Sequence, residues 1–393
     1  MSMRWIGKTL ALGFAGMSFV VTGCSSDSDG AGSAGASGGG ADGGGGDGAA
    51  GGGGGGVCDT SAFQENCVQG GASWGTEQQA GPCSGGTTIY GVKNQFGPYG
   101  VRSEHNVGQG FENVVSAADT AEGCSQFIDG FAADPAGSEE LKQIRDLDLS
   151  LYSVFYPGCM PEGERFPLIT WGNGTCAMPE GYGPLLREVA SHGYIVVAAN
   201  SRYVGTGAEQ RRAIDFMLAE NDDPSSKYYQ KIDATKIGAM GHSQGGAATV
   251  AAAADPRISS VILWNGGTAA EKPFLAVSGD RDIFQYTPES MAAAADAAAV
   301  PGAWLYYRQV PTEISGGAST GPLAGHLTLM MEPERVIGPA VAWWDMMLKG
   351  KAEAKAMFVG ASCTLCDGKA YPSSWIDSAT PPTLEYGKNA KLE

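Results

Sequence analysis

The chain is poor in imidazole and in positive charge. Four histidines occur in 393 residues, and 25 Lys and Arg stand against 42 Asp and Glu, a formal net charge of −17. An acidic protein with no basic cluster is a poor partner for a polyanion, so no nucleic acid is expected as a ligand. Solubility is a sufficient reason for the acidity. The shortage of histidine also narrows the search for a general base to His105, His192, His242 and His326. A second CxxC is missing too. Cys363-Thr-Leu-Cys366 stands without one and without a nearby histidine, which argues against zinc. It lies among Gly and Pro near the C-terminus and not at a helix start in a βαβ unit, which argues against a thioredoxin-like pair. A local structural bridge is the expectation. No metal site and no organic cofactor is implied by any motif.

Long apolar runs are also lacking. The N-terminal stretch, "MSMRWIGKTLALGFAGMSFVVTGC", carries Arg4 and Lys8 and then an apolar run that is too short to span a bilayer comfortably. It reads as an export signal, residues 1–23, removed ahead of Cys24. Small residues directly before a cysteine resemble the lipobox of bacterial lipoproteins. That resemblance implies acyl chains on Cys24 and a protein held at a membrane surface in the cell envelope. Ser25 in place of Asp favours the outer membrane by the same resemblance. A plain secretory signal is the alternative. Residues 24–56 are expected to be a flexible tether, since 17 of the 61 glycines fall within 25–56 and almost nothing there can be buried. Residues 57–86 form a Cys-rich extension with no assignable role. With Cys24 lipidated, eight of the nine cysteines remain, an even number that reads as disulfides of unreadable connectivity in an exported chain.

From residue 87 a regular pattern begins. "TTIYGVKNQF" and "LDLSLYSVFYP" alternate like half-buried antiparallel strands. Short apolar runs then alternate with helical patterns. "FPLITWGNG", "YIVVAANS", "TKIGAMGHS", "ISSVILWN", "KPFLAVSGD" and "AWLYYRQV" read as strands. "GYGPLLREVASHG", "GAEQRRAIDFMLAEN", "QGGAATVAAAAD", "TPESMAAAADAAAV" and "PERVIGPAVAWWDMMLKG" read as helices. This predicts an α/β fold: a mainly parallel sheet with helices on both faces and an antiparallel N-terminal edge. The catalytic domain is expected over 87–360, with a C-terminal extension over 361–393. Ligands in such folds meet the loops at the carboxyl ends of the strands.

Three of those loops carry chemistry. Gly241-His242-Ser243-Gln244-Gly245 has the form G-x-S-x-G between a buried strand and a helix, the setting of a nucleophile elbow. His326 follows the last predicted strand and is the candidate base. Asp280 and Asp282, in "VSGDRDIF", both stand where an acid could orient that base; a turn cap or an ion pair with Arg281 is the plain alternative for each. Ser, then Asp, then His is the chain order of α/β-hydrolases. A developing oxyanion needs two rigid N–H donors. The backbone of Gln244 offers one, and the loop after "LITW", with Asn173 favoured, offers the other. Trp171 and Trp264 are expected to line the substrate pocket.

Residues 90–360, through "VFYP", "FPLITWGNGT", "LREVASHGYIVVAANS", "KIGAMGHSQGG", "SGDRDIF" and the His326 loop, resemble α/β-hydrolases. The likeness is to cutinase-like polyester (PET) hydrolases and to chlorophyllase and dienelactone-hydrolase-like enzymes. The polyester hydrolases space a Gly and the catalytic Asp as Gly279 and Asp282 are spaced, so the resemblance selects Asp282. It places the second oxyanion donor on Asn173, where that family has an aromatic residue. Three departures stand out. Gly267 falls about where those enzymes carry a stacking Trp. The loop into His326 is longer than theirs. Ser243 replaces the Cys nucleophile of dienelactone hydrolases. The expectation is an exported serine esterase acting on an ester substrate through an acyl-enzyme, of unknown oligomeric state. A surface lipoprotein that keeps the fold only for binding, or a peptidase, are the rivals.

Overall fold

The computed structural model describes residues 78–80, 97–108, 151–175, 177–202, 204–308, 325–326, 334–361, 363–366 and 384–393. The expected signal, Cys24, the tether and the strand over 87–96 lie outside the described residues, as do 309–324 of the loop into His326.

Among the described residues ten strands make one sheet: β1 (Gln78–Ala80), β2 (Val101–Val107), β3 (Tyr152–Pro157), β4 (Phe166–Gly172), β5 (Ile195–Ala199), β6 (Ile232–His242), β7 (Ile258–Trp264), β8 (Phe274–Gly279), β9 (Gly302–Tyr307) and β10 (Leu384–Lys388). Their order across the sheet is β1-β2-β3-β5-β4-β6-β7-β8-β9-β10. β5, β4, β6, β7, β8 and β9 run parallel, with antiparallel strands at both edges. The helices are α1 (Gly183–Ser191), α2 (Ala208–Asp222), α3 (Gln244–Ala252), α4 (Pro288–Ala297), α5 (Glu334–Met347) and α6 (Ala352–Phe358), and a short 3-10 turn spans Pro179–Tyr182.

Parallel strands need crossovers, and crossover helices cover both faces. This explains the unbroken apolar runs. In β5, Val196 and Ala198 join one core with Leu185, Leu186 and Val189 of α1 and Trp343 and Trp344 of α5. Ile195 and Val197 join the other, with Ala213, Ile214 and Met217 of α2 and Met291 of α4. α4 starts at a capping signal in its sequence. Pro288 follows Thr287, whose side chain accepts from the Ser290 backbone N–H in a capping box.

Four elements escape the periodicity, among them β1, which lies in the expected Cys-rich extension and pairs with β2. β2 reads VRSEHNV, yet Ser103, Glu104 and His105 are buried. The polar groups of Glu104 and His105 are met from elsewhere in the chain: Lys227 lies 2.6 Å from Glu104, and Ser153 hydrogen-bonds the His105 ring, while the buried Ser103 hydroxyl has no hydrogen-bond partner among the described residues. β10 pairs Leu384 with Tyr307 and Lys388 with Ala303, so residues from the expected C-terminal extension complete an edge of this sheet. α6 is only seven residues long and packs on α5 through Phe358, edge-on to Trp343. Among the described residues no helix is long and apolar enough to cross a membrane.

Candidate active site

The elbow forms because two glycines let three backbone segments converge. A Cβ on Gly241 would stand 2.3 Å from the Gly245 carbonyl oxygen, and one on Gly245 would stand 2.0 Å from that of Gly172. No side chain fits at either place. β6 therefore turns abruptly into α3, and Ser243 is held at φ 56°, ψ −118°. A non-glycine residue there carries strain of order 1–3 kcal/mol. Neighbours hold it in place: the Ser243 N–H donates to the Trp264 carbonyl at 2.8 Å, and its own carbonyl accepts from Gly246 at 3.0 Å.

The base arrives on a separate loop. Gly325 and His326 have helical backbone. Gly325 donates its N–H to the Arg281 carbonyl at 3.2 Å, and a Cβ on it would lie 1.8 Å from the Asp280 carbonyl oxygen. The loop of the base thus lies directly on the loop of the acid. His326 Nε2 is 2.9 Å from Ser243 Oγ, and its Nδ1 is 3.2 Å from Asp282 Oδ1. All three residues are buried.

Asp282 is enclosed by donors. Oδ1 accepts the Phe284 N–H at 2.8 Å, and Oδ2 accepts from Ser278 at 3.0 Å and from the side-chain amide of Asn265. Burial pushes its carboxyl up, but His326, Asn265 and the Phe284 N–H outweigh it and hold the group below the ordinary carboxylate range. Asp280 faces outward and lies 3.4 Å from Arg308. Of the two acids, only Asp282 lies in hydrogen-bonding reach of the imidazole.

The loop after β4 lies on the other side of the serine. Gly174 is so close that a Cβ there would be 3.4 Å from Ser243 Cβ. The Asn173 side chain is buried and fully engaged. It donates to the Ala199 and Ser201 carbonyls at 2.9 and 2.8 Å and accepts from Trp171 Nε1 at 3.0 Å. Asn173 therefore braces the loop through its side chain, leaving only its backbone as a conceivable donor to substrate. Gln244 is the first residue of α3, so its N–H has no acceptor within the helix. Its side chain accepts from the Val204 N–H at 3.1 Å and braces the turn from the side.

The two expected pocket residues need correcting. Trp171 and Trp264 do not line an open pocket; both are fully buried in the core beneath α1 and α5. Each belongs to a parallel strand covered on both faces, so an inward residue packs against helices and not against solvent. The aromatic residue beside the site is instead Phe284. Its ring stands edge-on to His326 at 5.4 Å and stacks with Tyr286 at 5.7 Å, and it is 37% exposed. His242, the neighbour of the serine, turns away from Ser243 Oγ, and its Nε2 reaches the His326 carbonyl at 2.7 Å.

Cys363 and Cys366 are joined in a disulfide, and Cys159 is also disulfide-bonded.

A PET hydrolase-like family model matches residues 163–309, a stretch that includes Ser243 and Asp282 and ends before His326. Cutinase 2 of Thermobifida cellulosilytica is 24% identical over 204 residues, which is 49% of this chain and 71% of the relative. Cutinase cut1 of Thermobifida fusca is 24% identical over 204 residues, 49% of this chain and 58% of the relative. Cutinase est1 of Thermobifida alba is 29% identical over 103 residues, 25% of this chain and 33% of the relative. The likeness to these three relatives is thus partial, and the family model falls on the parallel strands β4 to β9. A mixed sheet of this order, matched over its middle by that family model, gives the chain an α/β-hydrolase fold and makes it similar to the cutinases and PET hydrolase-like enzymes.

Proposed function

We propose that the chain is a serine hydrolase that cleaves carboxylic esters through an acyl-enzyme on Ser243. The observation that carries this reading is the contact of Ser243 Oγ with His326 Nε2 at 2.9 Å, with Asp282 on the far nitrogen at 3.2 Å. Similarity to cutinases supports an ester as the substrate.

In this reading His326 takes the serine proton as Oγ attacks the ester carbonyl. The alkoxide leaves with that proton, and Ser243 keeps the acyl group as an ester. Water then attacks, loses its proton to His326, and releases the acid and the serine. Asp282, kept ionised by its donors, orients the ring and stabilises the imidazolium. The backbone N–H groups of Gln244 and Asn173 are the donors assigned to the oxyanion. Phe284 provides an apolar surface for an acyl chain or an aromatic ring, which is the feature that favours polyester-like or cutin-like substrates over small acetates. Export and a lipid anchor on Cys24 belong to the same proposal; a mass shift lost in Cys24→Ser tests the anchor.

The activity itself is tested with p-nitrophenyl esters from acetate to palmitate and with a polyester film. Turnover of short and medium esters, abolished in Ser243→Ala, is the expected result. Equal turnover by the two proteins, or none by the wild type, would remove the proposal. Amide analogues with matched acyl groups separate an esterase from a peptidase.

A further inference from the structure

Three hydrogen bonds run in one direction beside the site, and donor chemistry fixes their sense. The His326 carbonyl oxygen can only accept, so His242 Nε2, 2.7 Å away, must carry a proton. Burial and the neighbouring His326 push the His242 imidazole down to about 3, so it holds one proton and Nδ1 is an acceptor. The Tyr182 hydroxyl is 3.0 Å from that Nδ1 and donates to it. The same hydroxyl oxygen accepts the Gly174 N–H at 2.9 Å. Burial raises the Tyr182 phenol well above its ordinary value, so the proton stays on the oxygen.

The two ends of this chain of bonds are the two halves of the proposed machinery. Gly174 belongs to the loop that carries Asn173; His326 is the base. Residues 174, 182, 242 and 326 come from four separate segments, yet their polar atoms meet where Tyr182, His242 and His326 are buried. Resting on the hydrolase reading above, we infer that Tyr182 and His242 are positioning residues that tie the oxyanion loop to the backbone of the base. Two consequences follow. The Gly174 N–H is committed to Tyr182 and is withdrawn from the substrate. The distance between oxyanion donors and imidazole is set by hydrogen bonds and not only by packing. Tyr182 is itself anchored: its ring lies on Trp171 at 4.7 Å, and Glu180, in the same short turn, meets Arg187 at 2.9 Å and His105 at 2.8 Å.

The test uses the full chain and four variants. Tyr182→Phe keeps the ring and its packing but loses the donor. His242→Gln can still donate an amide N–H toward the His326 carbonyl; His242→Leu cannot. On p-nitrophenyl butyrate, Tyr182→Phe is expected to lower kcat roughly tenfold with KM within about twofold, since geometry between groups is lost and not substrate affinity. His242→Leu is expected to lose more, about thirtyfold, and His242→Gln to recover most of it. The double variant Tyr182→Phe/His242→Leu should be no worse than His242→Leu alone, because both break one chain of bonds. Wild-type kcat in folded Tyr182→Phe, losses that multiply in the double variant, or no advantage of Gln over Leu would overturn the inference. Nitrogen-15 NMR of the His242 ring gives a reading independent of turnover. A single Nε2-protonated tautomer is expected, and an Nδ1-protonated ring would refute the chain of bonds. A wild type that hydrolyses no ester but shows the Nε2–H tautomer would sink the hydrolase reading while keeping the hydrogen-bond chain, so the two failures are told apart.

Discussion

Asn265 holds Asp282: its side-chain amide donates to Oδ2 of the acid, while the residue itself follows β7 and is fixed by a different strand, donating its N–H to the Val277 carbonyl at 2.8 Å. Charge-assisted bonds of this kind are about twice as strong as neutral ones. They keep the carboxylate ionised and fix which oxygen meets His326. Asn265→Leu should therefore lower kcat/KM about tenfold or more with the fold intact. Kinetics beside a thermal melt check this, and an unchanged kcat/KM would contradict it.

Stability should fall in acid for two reasons with the same sign. The His242 imidazole is pushed from 6.5 down to about 3 in the folded protein. Between those values the unfolded chain binds a proton that the native state refuses, so stability rises with pH across that window and is level above it. Asp282 is held below its ordinary value, so its contribution is present above the unfolded carboxylate range and lost as pH falls through the folded one. One proton corresponds to about 1.4 kcal/mol per pH unit. Because buried Glu188 and Glu209, both raised by burial, act with the opposite sign, the test is the difference in urea unfolding free energy between wild type and His242→Gln at pH 7.5, 5.5 and 4.5, which should show that slope below 6.5.

The elbow glycines should tolerate no side chain. Gly245→Ala drives a methyl into the Gly172 carbonyl, and the chain should fail to fold or melt far below the wild type. Gly350 offers the contrast. Its φ is +68°, and a Cβ there would meet nothing within 4 Å, so Gly350→Ala should cost only about 1–2 kcal/mol of backbone strain. Melting temperatures of the two variants measure the difference.

Asp345 on α5 is buried and receives the Tyr194 hydroxyl at 2.6 Å, with Lys349 at 3.2 Å and Lys351 at 3.0 Å. Lys349 also lies 3.8 Å above the Tyr194 ring. Removing the acid leaves Lys349 poorly solvated without its counter-charge. Asp345→Ala should cost roughly 3 kcal/mol, while activity per folded molecule stays unchanged because this cluster lies apart from Ser243. Denaturant titration with active-site titration separates the two effects.

The parallel strands and the crossover helices were legible because each rests on local patterning: a short apolar run, a turn residue, a helical stripe. The elbow was legible for the same reason, since strand, glycines, serine and helix are contiguous. What stayed hidden depends on which face a residue takes or on partners far along the chain. An apolar run such as ISSVILW does not say that Trp264 faces a helix layer. A polar run such as VRSEHNV does not say that Lys227 and Tyr228 will meet its Glu104 and Ser153 its His105. Tyr182 and His242 are 60 residues apart, Asn265 and Asp282 are 17 apart, and nothing in their spacing announces a bond. The choice of Asp282 over Asp280 rests on a resemblance; the fold supplies a physical reason in the outward turn of Asp280 toward Arg308.

The most direct measurement is intact-mass analysis after treatment with a fluorophosphonate, followed by peptide mapping. One phosphonyl adduct per chain, located on Ser243, blocked by a slowly hydrolysed ester and absent in Ser243→Ala, is what the account predicts. An unmodified wild type, or an adduct that persists when Ser243 is replaced, would contradict it.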